Sequence, residues 1–162
     1  MHVQSLSNFD ADIIVKKLGI QPRDFQLRGI EAQLNQKDAV VHAGTGTGKT
    51  LIAAAPHYHP SLQGRGKLTI FVSPLLALQN EQVVTFSGEF GLSAVAVNSS
   101  FGGCNNEVLE ALKAGQYQIL VISPELLLSK TFVDDMLRKP AFTSRVFSVV
   151  VDEAHVVSHW GA

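Results

Sequence analysis

Short, uninterrupted apolar runs recur along this chain, separated by longer stretches whose apolar residues fall at helical spacing. The runs are Ala39-Val-Val41, Leu68 to Val72, Leu92 to Val97, Tyr117 to Ile122 and Phe147 to Val151. A strand covered on one face alternates apolar and polar residues, whereas a strand covered on both does not, so these runs predict buried parallel strands. Between them the pattern predicts helices over Lys49 to Tyr58, ended by Pro60, and over Leu75 to Phe86. Another is expected over Glu107 to Ala114, with Asn106 as its cap and Gly115 as its stop. A helical region is expected over Glu125 to Lys139, before Pro140. His57 to Lys67 and Phe101 to Asn106 read as a surface loop and a turn, since Gly, Pro and Asn cluster there. Strand and helix thus alternate, which predicts an α/β fold with a mostly parallel sheet sandwiched by helices.

Composition fits that picture. The chain has 162 residues, enough for one domain with an ordinary core, and is 46% apolar and 17% charged. A net charge of −1 advertises no broad basic field for nucleic acid, though backbone amides and a few local cations suffice to hold phosphates. Cys104 is the one cysteine, so no intrachain disulfide is expected. The first residues carry Asp10 and Asp12 and lack a secretory apolar core, and no run reaches membrane-spanning length. An intracellular protein is expected, nuclear in a eukaryote and otherwise cytoplasmic, with no membrane partner.

Candidate chemistry sits in two places. After the first apolar run comes Ala43-Gly44-Thr45-Gly46-Thr47-Gly48-Lys49-Thr50. Gly44, Gly46 and Gly48 let the backbone take positive φ and approach an anion closely, so that successive N–H groups point inward. A helix N-terminus follows and favours the same anion. Lys49 adds a charge for the β- and γ-phosphates of ATP, and Thr50 a hydroxyl for Mg2+. The strict phosphate-loop formula begins with Gly where this chain has Ala43, and the A-x-x-G-x-G-K-T form it does match is typical of helicases.

The second place is Asp152-Glu153-Ala154-His155, directly after the last apolar run, at the carboxyl edge where such sheets bind ligands. Asp152 suits a magnesium ligand acting through water, and Glu153 an orienter and base for the attacking water. His155 and His159 lie about one helical turn apart, yet no third ligand accompanies them, so no zinc is expected. His57 and His59 flank Tyr58 in the predicted loop and are expected to face solvent.

Taken together these residues resemble superfamily 2 helicases of the DEAH-box type, and within them the RecQ-type DNA helicases. Gln26 matches the family's adenine-reading glutamine and Arg23 the arginine that packs against the base. Ile20 stands nearest the place of an aromatic residue usual upstream, which implies weaker stacking on adenine. Phe71-Val-Ser73-Pro74-Leu75 and Ile122-Ser123-Pro124-Glu125 resemble motifs that touch the DNA backbone, and Val97-Asn98-Ser99 the polar turn after the third strand. His155 resembles the histidine that couples nucleotide state to movement. Ser158-His159-Trp160-Gly161 resembles the start of the loop that senses single-stranded DNA, with His159 where glutamine is usual.

The resemblance covers about residue 15 to residue 162 and implies a RecA-like P-loop NTPase domain, with residues 1–14 as an N-terminal extension. It implies the ATP-hydrolysing part of a 3′-to-5′ helicase that works at junctions of single-stranded and duplex DNA. An RNA helicase or other superfamily 2 translocase is the alternative, as is a non-motor fragment that only binds nucleotide. The chain stops after the acidic box, so the sheet is expected to be incomplete at its C-terminal end, lacking the strand between those of the two motifs. The resemblance further implies a second RecA-like domain in the full-length protein, which is expected to lie outside these residues. An isolated chain is accordingly expected to be poorly stable and to hydrolyse little ATP.

Overall fold

Four of the five apolar runs form one sheet. The computed structural model describes residues 8–44, 46–98 and 105–159, with the backbone alone for 8–10 and 157–159. The chain divides after Arg65 into two compact units.

The second unit holds strands β1 (Leu68–Val72), β2 (Ala94–Val97), β3 (Ile119–Ile122) and β4 (Val146–Val151) in the order β2-β3-β1-β4, every pair parallel. Between them run the helices α4 (Leu76–Val84), α5 (Asn106–Lys113), α6 (Pro124–Leu127), α7 (Lys130–Phe132) and α8 (Pro140–Thr143). β1 and β3 are buried along their whole length, as uninterrupted apolar runs require.

Side-chain alternation then divides the apolar residues between two faces. One face sets Leu68, Ile70, Val72, Leu120 and Ile122 against Leu109 and Leu112 of α5 and against Phe132, Met136 and Phe142 beyond β3. The opposite face presents Phe71, whose ring meets that of Phe86 edge-on at a centroid distance of 5.3 Å. Each fully buried side chain of this size contributes about 2 kcal/mol.

The first unit is helical among its described residues: α1 (Asn8–Leu18), α2 (Asp24–Leu34) and α3 (Thr50–Ala54). α2 and α3 approach closely at Gly29, where a Cβ would lie 2.9 Å from Ile52 Cγ2. The Gln33 amide seals the contact by donating to the Ile52 carbonyl at 2.7 Å. Ile30 and Ala53 are fully buried there.

Several sequence expectations need correction. Ala39 to Val41 is not a strand, and Val40 is 99% exposed. Three extended residues gain little without a hydrogen-bonded neighbour, and none of the four strands pairs with them. α3 is shorter than expected and passes at Ala55 into a 3-10 turn containing Pro56, whose ring cannot continue the ladder. The cap of α5 is Asn105 rather than Asn106: its Oδ1 accepts from the N–H of Glu107 at 2.7 Å and of Val108 at 3.2 Å. His57 is buried, not solvent-facing, because the 3-10 turn points it inward, and burial lowers its pKa to about 4. His59 is half-buried, its Nδ1 2.6 Å from the Ser61 hydroxyl. The turn at 101–104 lies outside the described residues.

Candidate nucleotide site

The phosphate loop is built by conformation before it is built by charge. Gly46 and Gly48 stand at φ +73 and +78, the left-handed region that a side chain rarely tolerates. Gly44 is not among the positive-φ glycines, so the loop needs that freedom at two of the three expected positions. The Thr47 hydroxyl donates to the Gly44 carbonyl at 2.6 Å and closes the turn. Lys49 precedes α3, whose first residue is Thr50, and its Nζ lies 3.1 Å from the Ala43 carbonyl and 3.3 Å from that of Gly44. The ammonium therefore arches back over the loop, where phosphate oxygens would replace the two carbonyls as its acceptors. Thr45 lies outside the described residues.

Gln26 is the loop's anchor. It is 5% exposed, and its Nε2 donates to the Gly48 carbonyl at 2.8 Å and, more loosely, to that of Thr47 at 3.4 Å. Its Oε1 accepts from the Arg23 N–H at 2.8 Å, which also caps α2. A Cβ on Gly48 would come within 2.8 Å of the same amide, so the close approach is a second reason for glycine there. Arg23, Gln26 and the loop are thus brought together by the first unit alone.

The second unit, by itself, has an ordered edge. Val97, Ile122, Val72 and Val151 are register partners across the sheet. The residues that follow them, Asn98, Ser123, Ser73 and Asp152, therefore line up at the carboxyl ends of the four strands. Parallel topology alone gathers one residue from each motif onto a single edge. Asp152 continues the sheet by donating its N–H to the Val72 carbonyl at 2.9 Å.

Beyond that bond the chain turns sharply. Glu153 takes φ +52, unusual for a residue with a side chain, and its N–H donates to Asp152 Oδ1 at 3.0 Å. His155 Nδ1 then lies 3.1 Å from Glu153 Oε2. Asp152 keeps a second oxygen, Oδ2, which accepts from Gln82 Nε2 of α4 at 3.3 Å. A half-buried carboxylate with spare lone pairs, near a glutamate, is a donor set that fits a hard, hydrated divalent cation.

Ser73 is buried, and its carbonyl accepts from Gln79. Ser123 is also buried, its hydroxyl accepting from the Leu126 N–H as the cap of α6, and Pro124 is buried beside it. Pro74 is half-buried, leaving Leu75 and Leu76 as the exposed part of that segment. The backbone of a 3-10 turn runs from Ala154 to His159. The His159 side chain, Ser99, Trp160 and Gly161 lie outside the described residues. Sequence reasoning missed Gln82 and Gln79; two glutamines one turn apart in a largely apolar helix were the available signal.

Comparison with known proteins adds independent information. Residues 23–162 match the protein family described as DEAD/DEAH box helicase. An ATP-dependent DNA helicase Q-like SIM of Arabidopsis thaliana is 32% identical over 150 residues, which is 92% of this chain and 16% of that protein. The ATP-dependent DNA helicase RecQ of Haemophilus influenzae is 35% identical over 133 residues, 82% of this chain and 20% of that protein. The corresponding RecQ of Pasteurella multocida is 32% identical over 162 residues, 99% of this chain and 24% of that protein. The chain thus spans a quarter or less of the length of these curated relatives.

Proposed function

Because this chain belongs to the DEAD/DEAH box helicases and is RecQ-like, we propose that it is the ATP-binding and ATP-hydrolysing part of a 3′-to-5′ DNA helicase. Residues 15–162 are its RecA-like domain in this reading, and a second such domain elsewhere in the protein closes on the nucleotide. The observation that carries the proposal is the phosphate loop: two left-handed glycines, with the Lys49 ammonium folded over the carbonyls of Ala43 and Gly44.

The chemistry follows residue by residue. Backbone N–H groups of residues 43–50 cradle the phosphates, and Lys49 neutralises the β and γ oxygens. Thr50 and Asp152 are the residues that would hold Mg2+, Asp152 through water, and the ion would neutralise charge developing on the phosphoryl oxygens. Glu153 orients the attacking water and accepts its proton, and the Glu153–His155 pair links that base to the turn that follows. Arg23 packs against the base. Gln26 reads the adenine edge with an amide that also holds the Gly48 carbonyl, so base recognition and loop geometry share one side chain.

DNA is the expected partner, at a junction of single strand and duplex. The segments Ser73-Pro74 and Ser123-Pro124 contact its backbone, and His159 and Trp160 sense the single strand. Since Ser73 and Ser123 are buried, their contribution is to fix the backbone of those segments rather than to present hydroxyls.

Nucleotide binding and turnover in the whole protein test the reading. Lys49→Ala should lower ATP affinity by at least tenfold, a loss of about 1.4 kcal/mol. Glu153→Gln should retain binding and lower kcat by about a hundredfold or more. Unchanged ATP affinity in Lys49→Ala, or unchanged turnover in Glu153→Gln, would overturn it.

A further inference from the structure

Helix α4 turns two primary amides inward, Gln79 fully buried and Gln82 half-buried with its Oε1 out of reach of solvent. Gln79 is fully buried and fully engaged: its Nε2 donates to the Ser73 carbonyl at 2.9 Å, and its Oε1 accepts from Asn98 Nδ2 at 3.0 Å. It thereby ties α4 to the ends of β1 and β2. One turn later Gln82 reaches the end of β4, donating to Asp152 Oδ2 at 3.3 Å. The amide faces the carboxylate with its N–H2, the orientation that avoids acceptor against acceptor.

Gln82 is only half satisfied. Its Oε1 is buried and has no hydrogen-bond partner among the described residues. A buried acceptor without a donor is unfavourable, and native proteins keep few of them. This one belongs to the amide that already grips Asp152, so the absent donor is best sought in whatever Asp152 binds. Mg2+ sheds its waters reluctantly and would be held here through water, and each such water would be a strong donor.

We propose that Gln82 is a positioning residue for the metal: its Nε2 orients the Asp152 carboxylate, and its Oε1 accepts a hydrogen bond from a water in the hydration shell of the divalent cation. Gln79 fixes the helix so that Gln82 keeps this reach. The inference rests on the reading of Asp152 as the magnesium residue, and it assigns the role to a residue outside the phosphate loop and the acidic box.

Mn2+ binding to the whole protein in the presence of ADP, read from the EPR signal of free Mn2+, tests it without turnover. Gln82→Met should weaken Mn2+ binding about tenfold, as loss of a residue supporting a metal ligand does. ADP affinity measured without metal should be unchanged. The Mg2+ concentration for half-maximal ATPase should rise by a similar factor, with a smaller change in kcat.

Unchanged Mn2+ affinity in a folded Gln82→Met protein overturns the proposal. If Gln82→Met loses metal-free ADP affinity, and so the fold, Gln82→Asn decides, since its shorter amide stays polar but cannot reach. Wild-type Mn2+ affinity in Gln82→Asn would then overturn it. The two readings fail separately: a normal response of Lys49→Ala and Glu153→Gln, with Gln82 variants that bind Mn2+ as wild type, removes this inference alone.

Discussion

His57 shows how a single turn can reverse a residue's character. Placed in a loop by sequence, it is 4% exposed in the structure, and burial of the ring lowers its pKa from 6.5 to about 4. Its neutral form is therefore favoured in the fold. Unfolded chains bind more protons between pH 6.5 and about 4, so the stability His57 contributes is complete above pH 6.5 and lost as pH falls through that window. A shift of this size corresponds to roughly 3 kcal/mol. Denaturant unfolding followed by far-UV circular dichroism should show that loss on acidification, and His57→Gln should flatten the curve over the same window. Gln26 and Gln82 make the complementary point: residue type disclosed a polar role at Gln26, but only coordinates show the amide spent on the Gly48 carbonyl. Gln82 carries no motif signal of its own, because its meaning depends on Asp152, far away in sequence and adjacent only after folding.

Most strands were legible as apolar runs, and the ends were set by what the run could not disclose. β1 begins and ends at the residues the pattern indicated, since both its faces and both its edges are covered. β2 and β3 end where their apolar runs end but begin two residues later, because Leu92-Ser93 and Tyr117-Gln118 precede the first paired residues. Ala39 to Val41 has the composition of a strand and no partner, and composition alone does not report pairing. Caps are subtler still. Asn105 and Asn106 are adjacent and chemically identical, and φ −76, ψ 138 at Asn105 selects it as the residue just outside the helix. Asn105→Ala should destabilise by about 1 kcal/mol in chemical denaturation, whereas Asn106→Ala should cost less than half as much.

At the scale of the whole molecule, the open side of β4 is the dominant feature. Among the described residues β4 is last in the strand order and pairs only with β1. Val149 is 55% exposed and Val151 38%, and with Val40 they are large apolar groups in contact with water. An unpaired strand edge with apolar neighbours is a template for association. The 162-residue chain by itself should show concentration-dependent self-association in sedimentation velocity, and Val149→Lys should suppress it. Monomeric behaviour of the unmodified chain across a tenfold concentration range would contradict this.

Glu153 stands at φ +52, a backbone that glycine or asparagine would occupy at lower conformational cost. Selection acting only on durability would replace it. In the proposed reading, a glutamate at this position serves turnover at the expense of thermal resistance. Screens that enrich stabilised variants should therefore drift away from Glu153 unless activity is scored in the same round.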